Sequence, residues 1–178
     1  VLAGREFIFR SIESVSRQQE ERRLASLMRL LNGDFRAAVL TADTLVQPVV
    51  PPEKLRGLVR ELKTGEEFSL SKAVALLSEC GYERCEMVEG HGQFSVRGGI
   101  LDFYPPLSEY PVRAEFFGDT PDLIGEFDPV TQRRVNQLKS AHITPALEVP
   151  LGEEERRQIA SFLRRAIRRF SERGAEKT

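Results

Sequence analysis

The residues best placed to do chemistry are an arginine and an aromatic ring four positions apart, in Pro111-Val112-Arg113-Ala114-Glu115-Phe116-Phe117-Gly118-Asp119. Side chains of a strand alternate between the faces of its sheet, so Val112, Ala114 and Phe116 share one face and Arg113, Glu115 and Phe117 the other. The first set is an ordinary core-facing row. The second puts a large ring beside a guanidinium where the sheet should meet water, and such anchors make protein–protein hot spots. In Gln93-Phe94-Ser95-Val96-Arg97 the same alternation turns Arg97 outward, just before Gly98-Gly99. If the two strands pair as a hairpin through Pro105–Tyr110, Arg97, Arg113 and Phe117 share one exposed patch. The competing arrangement tucks Phe117 under a loop and pairs the arginines with Glu115 and Asp119.

Other chemistries find little material. A phosphate-cradling loop needs GxxxxGK[ST], and Lys63-Thr64-Gly65 lacks that spacing. His91, in a Gly-His-Gly turn, reads as a solvated loop residue, and His142 as a satisfied sheet residue. Neither has a ligand-spaced partner, so no metal site is expected. Cys80 and Cys85 suit reduced, semi-buried thiols of a cytosolic protein. No base stands beside a nucleophile, so an enzyme is not expected.

Composition agrees with a packed, soluble, intracellular protein: 40% of residues are apolar, 30% are charged, and the net charge is −1. No apolar run approaches the ~20 residues that span a bilayer, and the N-terminus lacks a signal-peptide pattern. Of the 26 basic residues 21 are Arg, a bias that reflects genome composition or suits planar, bidentate interface contacts.

The elements that must position these residues fall into an α+β pattern. Phe7-Ile8-Phe9 reads as a strand that begins abruptly, as in a piece cut from a longer protein. Ser16 to Leu31 reads as an amphipathic helix with Ser16 and Gln19 at capping-box spacing, ended by Asn32-Gly33. Arg36 to Thr41 is then expected to be a buried strand, completing a βαβ-like segment, with short helices from Asp43 and Pro52. Strand 58–62 and a helix from Ser71 to Gly81 follow. Strands at 83–88, 93–104, 111–117, 122–127 and 136–143 predict a curved antiparallel sheet, with Gly98-Gly99 as a bulge inside the second. Glu153 to Arg173 is a helix with Ile159, Phe162, Leu163, Ala166, Ile167 and Phe170 on its apolar stripe. Its arginines (Arg164, Arg165, Arg168, Arg169 and Arg173) make either a solvated face or a phosphate-binding one, the latter giving an alternative nucleic-acid-binding module. Glu172 to Thr178 is expected to fray.

The stretches GYERCEMVEGHGQFSVRGGILDFYPP, PVRAEFFGD and FDPVTQR closely resemble the bacterial transcription-repair coupling factors, the Mfd family, in their N-terminal UvrB-like region. The same region is similar to the UvrA-binding domain of UvrB. Met87-Val88-Glu89 leading into His91-Gly92-Gln93-Phe94, and Thr131-Gln132-Arg133 after Asp128-Pro129, favour the coupling factors. So does Arg97-Gly98-Gly99, where UvrB-like chains tend to have Arg-Gly-Asp. The resemblance implies a truncated, degenerate helicase-like segment without a nucleotide site over residues 1–57. It implies a UvrA-binding domain over 58–150 and a basic helix returning to the first domain over 151–178. It also implies that Arg97, Arg113 and Phe117 contact UvrA, recruiting it for transcription-coupled nucleotide excision repair in the bacterial cytoplasm. ATP, magnesium, RNA polymerase and DNA would engage translocase and polymerase-binding domains outside this stretch. The family further suggests that another domain of the same protein masks the face, an autoinhibitory clamp.

Overall fold

The computed structural model of the protein describes residues 1–2, 4, 13–150 and 152–175. Helix α1 spans Glu13–Asn32 and is followed by the short helices α2 (Ala42–Leu45) and α3 (Pro52–Leu58). Pro52 opens α3, where its missing N–H costs nothing. Next come β1 (Arg60–Lys63) and α4 (Leu70–Glu79), the latter capped by Ser69 Oγ, which accepts from Lys72 N–H at 3.4 Å. Strands β2 (Glu83–Arg84), β3 (Gln93–Arg97), β4 (Ile100–Phe103), β5 (Val112–Phe117), β6 (Thr120–Phe127), β7 (Arg134–Leu138) and β8 (Ser140–Ile143) precede α5 (Glu153–Ala175).

The expected α+β class holds, with the sheet in chain order β2-β3-β4-β5-β6-β7. Every neighbouring pair is antiparallel except β2 and β3, which run parallel. Strands β1 and β8 form a separate antiparallel pair. Cross-strand partners share a face, so the register lines up Val96, Leu101, Ala114, Ile124 and Leu138 as one core row, with Phe94, Phe103 and Val112 beside it. Ala73 and Leu77 of α4, with Leu62 and Ile143 of the small pair, join the same core.

Gly98-Gly99 is not a bulge inside a long strand. Arg97 pairs with Ile100, so the two glycines form a two-residue hairpin turn, with φ of +59° at Gly98. A positive φ at the first central residue is the hairpin geometry that glycine adopts most cheaply. Gly118-Asp119 repeats it between β5 and β6, with φ of +61° at Gly118. Because β3 and β5 point the same way, both turns lie at one end of the sheet. The register shifts fall instead on either side of β6, against β5 between Glu115 and Phe116 and against β7 between Glu126 and Phe127.

The N-terminal part differs more. No strand forms among the described residues before Arg60. Residues 36–41 run without a ladder partner and expose Val39 and Leu40, although Leu2 N–H donates to the Val39 carbonyl at 2.9 Å. An apolar run becomes a strand only where another strand completes its hydrogen bonds. The expected strand at Phe7–Phe9 lies outside the described residues. Helix α1 begins three residues before Ser16, which is therefore not its cap.

Arg23 of α1 donates Nε–H to Glu148 at 2.9 Å in a buried ion pair, joining the helix to the chain after β8. Lys54 of α3 pairs with Glu155 of α5, whose carboxyl lies below its usual range because of the Lys54 hydrogen bond and the Gly152 N–H. Along α5, Ile159, Phe162, Leu163 and Ile167 are exposed; the side chains of Ala166, Arg169, Phe170 and Arg173, and residues 176–178, lie outside the described set. Phe103→Ala is expected to lower unfolding free energy by about 3–5 kcal/mol, checked by urea denaturation, because its ring is wholly enclosed in the core.

Candidate functional site

The outer face of the sheet is built by one cross-strand row. Ser95, Asp102, Arg113 and Gly125 stand side by side on β3, β4, β5 and β6, flanked toward the turns by Arg97, Ile100 and Glu115. Ser95 Oγ donates to the Glu86 carbonyl at 2.9 Å, and Gln132 Nε2 donates to the Val88 carbonyl at 3.3 Å. The segments after β2 and after β6 therefore cover this face at the end away from the hairpin turns. Val88 of the first segment packs with Tyr104 and Phe127 as a second small core.

Asp102 is the centre of the site, with 1% of its side chain exposed. Arg113 grips it with a bidentate fork, Nε to Oδ1 at 2.7 Å and Nη2 to Oδ2 at 2.8 Å. Arg97 Nη2 donates to the same Oδ2 at 3.2 Å. The Arg113 guanidinium lies 4.4 Å from the centroid of the Phe127 ring, a cation–π contact. Its Nη2 and Nη1 also donate to Gln132 Oε1 at 3.2 Å and to the Gln132 carbonyl at 3.3 Å. Asp102 pairing raises the Arg113 pKa above its already high ordinary value, so the group stays charged.

The loop that presents Gln132 is itself specified by sequence. Asp128 Oδ1 accepts from the N–H groups of Val130 and Thr131, at 3.0 and 2.6 Å, and from Thr131 Oγ1 at 2.9 Å. These bonds hold the Asp128 carboxyl below its ordinary pKa. Gln132 then adopts φ of +59°, uncommon for a non-glycine residue.

Phe117 closes β5 at the open end of the face, paired with Thr120 across the Gly118 turn, and is 85% exposed. The Arg97 side chain is 55% exposed and that of Arg113 only 20%. The structure thus brings Arg97 and Arg113 onto one carboxylate and leaves Phe117 in solvent beyond them. The expectation that both guanidiniums stand free is corrected for Arg113, whose fork is occupied within the chain. Neither arginine takes Glu115 or Asp119 among these contacts; Glu115 pairs with Arg134. Strand β4, not β3, lies next to β5.

Sequence reading missed Asp102, Phe127 and Gln132. Reading Gly98-Gly99 as a two-residue turn would have set Ser95 opposite Asp102, exposing an acidic residue between two arginines. Asp128-Pro129 signals the turn before Gln132, but the contact of Gln132 with Arg113 depends on the folded loop.

Elsewhere, His91 is more engaged than a solvated loop residue: its ring stacks 4.1 Å from Tyr104, and Nε2 is 3.0 Å from the Ser108 carbonyl. Cys80 is buried and its thiol pKa is pushed up to about 12, chiefly by desolvation, while Cys85 is half-buried. Among the described residues no group of three or more His, Cys, Asp or Glu side chains could hold a metal ion. No described helix is long and apolar enough to cross a membrane.

The family model described as "UvrB interaction domain" matches residues 61–148, which contain this entire face. The chain is 39% identical over 150 residues to a transcription-repair-coupling factor of Myxococcus xanthus, covering 84% of this chain and 12% of that protein. It is 34% identical to that of Bacillus subtilis, with 85% of this chain and 13% of the relative covered. The chain belongs to the transcription-repair coupling factor family. The UvrB-like character of the coupling-factor module is also direct: UvrABC system protein B of Francisella tularensis is 30% identical, over 87% of this chain and 23% of that protein. The chain spans about an eighth of the length of the coupling factors it matches.

The two arginines on Asp102 differ in consequence. Arg113→Ala strands a buried carboxylate and is expected to cost about 3 kcal/mol of stability. Arg97→Ala removes one 3.2 Å contact from a half-exposed side chain and leaves the Arg113 fork on the carboxylate, so it should cost at most about 1 kcal/mol. Parallel urea titrations of the two variants check the contrast.

Proposed function

We propose that this chain is a docking module that binds UvrA through the open end of the outer sheet face, recruiting it for transcription-coupled nucleotide excision repair. The carrying observation is Phe117: a ring 85% exposed on a rigid strand, on the same face as the half-free guanidinium of Arg97. An exposed ring of this size on an ordered element marks a contact site more readily than a loop residue does. Phe117 fills an apolar pocket on UvrA, and Arg97 makes a charge-assisted contact with an acidic group there. Arg113 contributes mainly by holding the face in shape. The organisation that fits this role is a domain over residues 58–150, flanked by the 1–57 segment and by the helix of 151–178. In the intact protein, RNA polymerase, DNA and ATP are engaged by other domains.

The same exposed ring favours a second reading, in which another domain of the protein covers this face until UvrA competes for it. The two readings use one surface and are compatible. A nucleic-acid role for α5 draws on its exposed Arg164 and Arg165, but exposed Phe162 and Leu163 interrupt that helix surface with apolar side chains.

Losing a hot-spot side chain costs on the order of 2–4 kcal/mol, which is at least tenfold in affinity. Phe117→Ala is therefore expected to weaken UvrA binding at least tenfold in titration calorimetry, with an unchanged circular dichroism spectrum. Wild-type affinity in that variant removes the docking reading.

A further inference from the structure

Resting on the docking reading, we infer that Asp102 is a positioning residue of the UvrA-binding face. It fixes Arg97 in register with Phe117 and takes up the charge of Arg113. The face then offers its partner one largely unspent guanidinium beside one apolar ring.

A guanidinium carries five N–H groups. Arg113 gives four of them to Asp102 and Gln132. Lying over the Phe127 ring and 20% exposed, it has one left for a partner. Among the described residues, Arg97 gives one N–H, to Asp102 Oδ2, and keeps four. The buried carboxylate therefore separates two chemically identical side chains into an anchor and a presenter. It also balances one of the two positive charges, leaving the three groups at a net +1.

Geometry sets the partner's complement. Arg97 lies level with Ile100 and Glu115 across the strands, and Phe117 is two residues farther along β5 on the same face. Strand spacing places the two Cα atoms about 12 Å apart. The matching surface carries a carboxylate and an apolar pocket at a similar separation, fixed because both groups stand on sheet hydrogen-bonded strands. Without the 3.2 Å bond to Asp102, Arg97 at the edge of a glycine turn would sample many rotamers, and binding would have to order it.

Asp102→Asn tests this. The amide keeps the shape of the carboxylate but removes its charge and turns an N–H donor toward at least one arginine. UvrA affinity is expected to fall about tenfold in Asp102→Asn, and less than twofold when the same change is made in Arg97→Gln. That non-additivity is the signature of action through Arg97. Equal losses in both backgrounds, or no loss in the first, overturn the inference while leaving the docking reading, tested by Phe117→Ala, untouched. A measurement on the wild-type chain guards against a variant that fails to fold. In 15N relaxation the Arg97 Nε–H should be nearly as ordered as that of Arg113; an Nε–H as mobile as those of exposed arginines on α5 also overturns the inference.

Discussion

A carboxylate enclosed on the outer side of a sheet, held by two guanidiniums, is the interaction on which the outer face of this protein depends. Isolated burial of an ionised Asp102 would be prohibitive, and the group is tolerable only because its oxygens are met by the fork of Arg113 and the Nη2 of Arg97. The exchange is mutual. Arg113 lies over the Phe127 ring and is anchored to the 128–133 loop, so the carboxylate, the ring and the loop form one connected unit. Arg97 stays at the margin of that unit, ordered by it but open to solvent.

The meander supplies the frame. Two glycine turns, at Gly98 and Gly118, end neighbouring hairpins on the same side, where the outer face of the sheet leaves Arg97 and Phe117 exposed. At the opposite end the segments containing Val88 and Gln132 close over the face and build a second core. One side of the sheet is therefore divided into a covered, rigid half and an open half carrying Arg97 and Phe117. Antiparallel sheets commonly leave one face to water; here only part of it is left, and that part holds the most exposed phenylalanine ring among the described residues.

Much of this was legible in the residues. Period-two alternation in PVRAEFF is enough to put Phe117 outside and Phe116 inside, because no bulge interrupts β5. The α4 stripe and the α5 helix follow from helical spacing in the same way. What was not legible depended on pairing at a distance. Gly98-Gly99 has the composition of both a bulge and a hairpin turn, and choosing between them moves Asp102 from anonymity to the centre of the site. The run RAAVLT has strand-like residues, yet a strand is made by its neighbour, and among the described residues none pairs with it. The grip of Gln132 on Arg113 comes from an Asp128-capped loop in a left-handed conformation, which no periodicity encodes.

On the docking proposal, the open end of this face, and not the arginine-bearing helix, meets UvrA. Site-specific photocrosslinking addresses it directly, with a benzophenone side chain placed in turn at position 117 and at position 162 of α5. Crosslinks to purified UvrA from position 117, with none from 162, are the predicted result. Crosslinks from 162 with none from 117 would contradict it.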